Sequence, residues 1–141
     1  MNESTTQKLM NILKQSGSFE NFLERSAEKQ ISISLPEYFD YLFEEKAVKK
    51  SKVIRQSLLD PYYTYQIFRG EKKASRNKLL QIAFAFPLTI KETQLLLYLG
   101  GVQKLYIKNK FDSIILFSLD NGLPIDQVTA LLIEQQEEPF I

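Results

Sequence analysis

The chain contains no cysteine and no histidine among its 141 residues, and each absence removes a kind of chemistry. Without thiols there is no disulfide and no thiolate metal site; without imidazole the commonest zinc ligand and the commonest general base are missing. No apolar run comes near the roughly 18 residues that a membrane span needs. The opening Met1-Asn2-Glu3-Ser4-Thr5-Thr6 lacks the basic-then-apolar layout of a signal peptide, so a cytoplasmic protein is expected. There is no glycine-rich phosphate loop and no nucleophile motif. The adjacent pairs Glu44-Glu45 and Glu137-Glu138 fall on different sides of a helix, which makes them poor acid–base dyads. These gaps argue against an enzyme, and no cofactor or metal is expected.

What is present is ordinary in amount and uneven in arrangement. With 44% hydrophobic and 25% charged residues, the chain suits one globular domain with a core of its own. Its 18 basic and 17 acidic residues nearly cancel, yet ten basic residues (Lys46, Lys49, Lys50, Lys52, Arg55, Arg69, Lys72, Lys73, Arg76, Lys78) meet only Asp60 and Glu71 between positions 46 and 78. That stretch carries +8, leaving 8 basic and 15 acidic residues elsewhere, a balance of −7. A polyanion responds to such a local positive field whatever the net charge.

Helical patterns dominate. Leu9, Met10, Ile12 and Leu13 recur at helical spacing until Ser16-Gly17-Ser18, and Phe19, Phe22 and Leu23 suggest a second short helix. Ile31 to Leu35 alternates like a strand but has no partner, so it reads as an extended linker. Ser34-Leu35-Pro36-Glu37 and Thr89-Ile90-Lys91-Glu92 are capping boxes, in which a hydroxyl and a carboxylate satisfy free backbone N–H groups at a helix start. The first opens a helix to about Glu45 that buries Phe39, Leu42 and Phe43; the second opens a leucine-rich helix that stops at Gly100-Gly101. Between them, Ser75 caps a helix with Leu79, Leu80, Ile82, Ala83 and Phe86 inward, ended by Pro87. A helix over 112–119 closes at Asn121-Gly122, and Pro124 suits the first turn of a last one to about Gln135. There is no hairpin and no repeat. The spacing predicts an all-α protein of seven or eight helices.

The basic segment holds the most specific motif. Residues 51–70, SKVIRQSLLDPYYTYQIFRG, read as two short helices joined by a tight turn. Val53, Ile54, Leu59, Ile67 and Phe68 are spaced to hold both helices on a shared core, while Lys50, Lys52, Tyr62, Tyr65, Gln66 and Arg69 are left outside. With Leu42 and Glu45-Lys46-Ala47-Val48 before it, and Gly70 to Arg76, Leu79 and Leu80 after it, the stretch resembles the DNA-binding domain of lambda-repressor and Cro-like (XRE-type) bacterial transcriptional regulators. The resemblance covers about residues 35–88 and implies a five-helix helix-turn-helix domain, with 1–34 a helical extension and 89–141 a C-terminal helical region that extends the core or joins two copies.

The resemblance also implies roles. Lys50, Ser51 and Lys52 open the bracing helix, where phosphate is held; Pro61, Tyr62, Tyr65 and Gln66 fall where a recognition helix faces base edges; Arg69, Lys72, Lys73 and Arg76 fall on the loop that tracks the DNA backbone or reaches the minor groove. Gln66 is suited to a bidentate contact with adenine. Two positions depart from the family pattern. Leu58 stands where the turn usually has glycine, and a leucine held at positive φ would cost about 1 kcal/mol or more, so the turn is expected to be reshaped; Ile54 stands where a small residue usually faces the bracing helix. The expected partners are double-stranded DNA and a second copy of the chain. Each feature has a plainer interpretation: a charge run as a solvated face, Tyr63 as a packing residue, the leucines of 95–99 and the apolar residues of 114–119 as core or subunit interface, and the acidic C-terminal end as solvated. The rival function is a protein-interaction adaptor that keeps the helix-turn-helix and docks partners on its tyrosine-rich face.

Overall fold

Short polar side chains start most of the helices. Ser4, Ser18, Ser34, Asp60, Ser75, Thr89 and Asn109 each accept a hydrogen bond from the backbone N–H three residues on, filling one of the donor positions that a helix start leaves open. Both expected capping boxes are complete, with Glu37 and Glu92 reaching back to the backbone N–H of Ser34 and Thr89. The hydrogen bonds from Ser34 hold the Glu37 carboxyl below its usual range.

The structure is a computed structural model that describes residues 4–140; Met1, Asn2 and Glu3, part of the stretch considered above as a leader, lie outside the described residues, as does Ile141. Among the described residues there are nine helices and no strand: α1 Thr5–Gln15, α2 Phe19–Glu28, α3 Leu35–Glu45, α4 Lys50–Ser57, α5 Pro61–Phe68, α6 Arg76–Ala85, α7 Ile90–Leu99, α8 Lys110–Asp120 and α9 Ile125–Glu134. The count exceeds the seven or eight predicted. The second short helix expected from Phe19, Phe22 and Leu23 is present and ten residues long, and Ile31 to Ser34 is the extended linker expected. Pro124 is one position off its expected place, standing outside α9 as the N-cap with extended backbone angles.

Helix α6 is the hub. Every residue from Leu79 to Ala85 is buried, as befits a helix covered on all sides, and it packs against α4, α7 and α9. Around it, α1 lies on α2 and α3, α3 meets α5 and α7, and α8 pairs with α7 and α9. Buried side chains from all three stretches of the chain, including Leu9, Met10, Phe39, Leu42, Ile67, Leu80, Leu96, Ile115 and Leu132, form one apolar cluster. At about 1.5–3 kcal/mol for each large aliphatic side chain removed from water, this cluster is the main stabilising term. Leu95, Leu96 and Leu97 are spent on it, with no more than 1% of their surface exposed.

Polar contacts tie α7 to its neighbours. The buried Tyr38 donates its hydroxyl to the Glu92 carbonyl at 2.9 Å, and burial pushes that phenol well above its ordinary pKa of 10.0. Lys46 pairs with the Glu92 carboxylate at 3.1 Å, and the Lys91 ammonium reaches the Ser16 carbonyl at 3.0 Å. Gln94 makes a two-way amide bond with the Leu105 backbone, donating at 3.0 Å and accepting at 2.8 Å. No helix among the described residues is long and apolar enough to cross a membrane.

Candidate nucleic-acid interface

Helices α4 and α5 are eight residues each and are joined by Leu58-Leu59-Asp60. The inner side of α4 is Val53, Ile54 and Ser57, and that of α5 is Thr64, Ile67 and Phe68. Phe68 packs edge-on against Phe39 at 4.9 Å and Phe43 at 5.0 Å between ring centres, which locks α5 to α3. Ile54 is accommodated at 3% exposure, so the larger side chain is absorbed by the core.

The turn forms without glycine. Leu58 adopts φ 63° and ψ 22°, the left-handed conformation expected for that position, at a cost of about 1–2 kcal/mol for a residue with a Cβ. The turn is strained rather than reshaped. Polar groups around it hold the geometry: Ser57 Oγ donates to the Ile54 carbonyl at 2.7 Å and accepts from the Leu59 N–H at 3.3 Å, and the buried Gln81 of α6 donates Nε2 to the Ser57 carbonyl at 3.0 Å. Asp60 then caps α5, Pro61 occupies its first position, and Thr64 Oγ1 donates to the Asp60 carbonyl at 2.7 Å.

At the far end of α5, Gly70 turns the chain with φ 79°, and a Cβ there would sit 2.7 Å from Pro36 Cγ. Glycine is therefore required on two counts. The following loop is anchored by Tyr63, whose hydroxyl donates to the Lys73 carbonyl at 2.5 Å and whose ring lies under the Lys78 ammonium at 4.2 Å. Tyr63 is half-buried, the packing role expected for it.

On the outer side, Tyr62 is 74% exposed and Leu58 51%, while Tyr65 and Gln66 are half-buried. A surface cleft of about 280 Å³ opens between the two helices, lined by Ser51, Ile54, Arg55, Leu59, Pro61 and Tyr65. Lys50, Ser51 and Lys52 are exposed at the start of α4, whose N-cap Lys49 makes no side-chain cap bond, while the Lys52 N–H is already taken by the Lys49 carbonyl at 3.1 Å. Lys72 and Lys73 are exposed on the loop beyond α5.

Two of the expected backbone residues are engaged within the protein. Arg69 is exposed but paired with Glu71 at 2.7 Å. Arg76 is turned inward: its guanidinium forks onto both oxygens of Asp112 and also donates to the carbonyls of Gln103 and Lys104. Arg76 was expected along the DNA backbone; here its guanidinium is committed to Asp112 within the fold. Its position opens α6 opposite the start of α8, where a buried carboxylate claims it. Conversely, Lys49 and Arg55 are exposed cations next to the site that were not assigned a role from sequence. Helical spacing could have found Arg55, since it lies four residues after Ser51 and hence on the same face of α4.

Compared with protein-family models, curated proteins and solved structures, the chain matches none.

Proposed function

We propose that the protein is a sequence-specific DNA-binding regulator of the lambda-repressor and Cro-like kind, with residues 35–88 as its reading head. In this reading α4 braces on the phosphates and α5 enters the major groove. The observation that carries it is the placement of cations around an uncharged helix. Lys49, Lys50, Lys52 and Arg55 on one side and Lys72 and Lys73 on the other bracket α5 in the chain, all exposed, and none has a carboxylate within ion-pair distance among the described residues. Lys50, Ser51, Lys52, Lys72 and Lys73 hold phosphate, assisted by Lys49 and Arg55; Tyr62, Tyr65 and Gln66 face the bases. Arg69 reaches a phosphate by releasing Glu71, an exposed pair of little intrinsic worth.

A single head of this size covers few base pairs, so two copies on a two-fold site complete the reading. Exposed Phe117 on α8 and Ile133 on α9, at 56% and 58%, supply apolar surface for that pairing. Sedimentation of the protein on its site measures it directly, and a single copy per site overturns the pairing.

Selection from a random duplex library at two salt concentrations tests the reading. An enriched motif, bound with an affinity that falls steeply as salt rises, is the expected result. Absence of duplex binding at low salt would favour the adaptor function, for which the exposed Leu58 and Tyr62 are the specific support.

A further inference from the structure

In the major groove a base pair is distinguished by its donors and acceptors and, for thymine alone among the four bases, by a C5 methyl group. The chemistry available on α5 is narrow. Its sequence PYYTYQIF contains no charged residue, and Thr64, Ile67 and Phe68 are buried. What remains outward is Pro61, Tyr62, Tyr65 and Gln66, preceded by the exposed Leu58. Guanine is usually read by a forked pair of donors from Arg or Lys, and the exposed cations sit on α4 and on the loop after α5 rather than on α5 itself. The one side chain on the outer face with a paired donor and acceptor is Gln66, which matches adenine. Two exposed apolar side chains, Leu58 in the turn and Tyr62 in the first turn of α5, stand at the leading end of the helix, the end that reaches base edges first.

We propose, resting on the reading of α5 as a groove-entering helix, that this protein selects A·T pairs through the thymine methyl group, with Leu58 and Tyr62 as the methyl-contacting, specificity-determining residues. Gln66 reads adenine within the same half-site. The recognised chemical group is a 5-methylpyrimidine, so 5-methylcytosine at one of these positions binds better than cytosine.

The test uses the full chain and the duplex enriched by selection, with each deoxythymidine replaced in turn by deoxyuridine. This swap deletes one methyl group and leaves the hydrogen-bonding edge intact. Burial of one methyl group corresponds to about fourfold in affinity, so a loss of about that size is expected at one or more positions. It should vanish in Tyr62→Ala or in Leu58→Ala, each first checked for an unchanged fold by circular dichroism and thermal melting. If every deoxyuridine duplex binds like the parent, or if the loss persists in both variants, the methyl proposal is overturned while α5 remains a DNA-reading helix. If no duplex binds at low salt, both readings fall.

Discussion

Arg76 and Asp112 form a two-pronged ion pair, Nη1 to Oδ1 at 2.9 Å and Nη2 to Oδ2 at 2.7 Å, across 36 positions of the chain. Asp112 Oδ2 also accepts the Tyr106 N–H at 2.9 Å, so one buried carboxylate gathers the start of α6, the loop before α8 and the first turn of α8. Three-quarters of the Arg76 side chain and nearly all of that of Asp112 are out of solvent, a setting in which orphaning either partner is costly.

Asp112→Ala should therefore destabilise the fold by about 2–4 kcal/mol, the lower part reflecting the exposed quarter of Arg76 that can recover water. Arg76→Lys should recover little of what Arg76→Ala loses, because an ammonium cannot reproduce the fork. Urea unfolding of the three variants measures this, and wild-type stability in Arg76→Lys would show that the fork is dispensable.

Leu58→Gly should stabilise the protein by about 0.5–1 kcal/mol, since it removes the left-handed strain of a residue whose side chain is half exposed, partly offset by the freer unfolded chain. Leu58→Ala keeps a Cβ at φ 63° and should bring no gain. A melting temperature that rises equally in both variants would place the effect in the side chain rather than the backbone.

Lys72→Ala and Gln66→Ala should impair DNA binding in different ways. The lysine variant is expected to weaken binding to all sequences alike and to lower the log–log salt slope by about 0.9. The glutamine variant should lose about 1–3 kcal/mol on the preferred site and relax one base pair, with little change on random DNA. Filter binding at several salt concentrations separates the two, and an identical salt slope in Lys72→Ala would remove that residue from the phosphate contacts.

Tyr38 sets an alkaline limit on stability. Its folded pKa lies well above the ordinary 10.0 because burial disfavours the phenolate, so below pH 10 both folded and unfolded chains hold the proton and no stability depends on it. Above that value the unfolded chain ionises first, and stability falls as pH rises toward the folded pKa. The half-buried Tyr41, raised in the same direction by burial, adds to the trend. Tyr38→Phe should lower stability by about 1 kcal/mol near neutrality through the lost hydrogen bond to Glu92, yet flatten the decline between pH 9 and 11. Chemical denaturation across that range reads both effects, and parallel curves for the two proteins would exclude Tyr38 as the cause.

Local features were legible in the sequence because their causes are local. A hydroxyl followed three residues later by a carboxylate identifies Ser34 and Thr89 as helix starts wherever the helix ends up. The turn was the exception: the Cβ of Leu58 pointed to a reshaped turn, and the surrounding hydrogen bonds hold it at the left-handed angle instead. Tyr63 was separable from Tyr62 because successive helix positions point 100° apart. Arg76 was not legible in the same way: its position next to Lys72 and Lys73 suggests phosphate, and only the chain's path brings Asp112 to it. The same limit applies to Lys46, claimed by Glu92 from another helix. Charge runs thus overstate the free positive field, because some of their members pair with carboxylates distant in sequence. The last helix shifted by one residue because proline fits both the cap and the first turn.

The inward residues of α5, Thr64, Ile67 and Phe68, and its anchor Tyr63 are distinct from the outward Tyr62, Tyr65 and Gln66. The demands of folding thereby fall on one set of letters in an eight-residue word and leave Tyr62, 74% exposed, least bound by them. If α5 reads DNA as proposed, that letter can be respelled without first repairing the core.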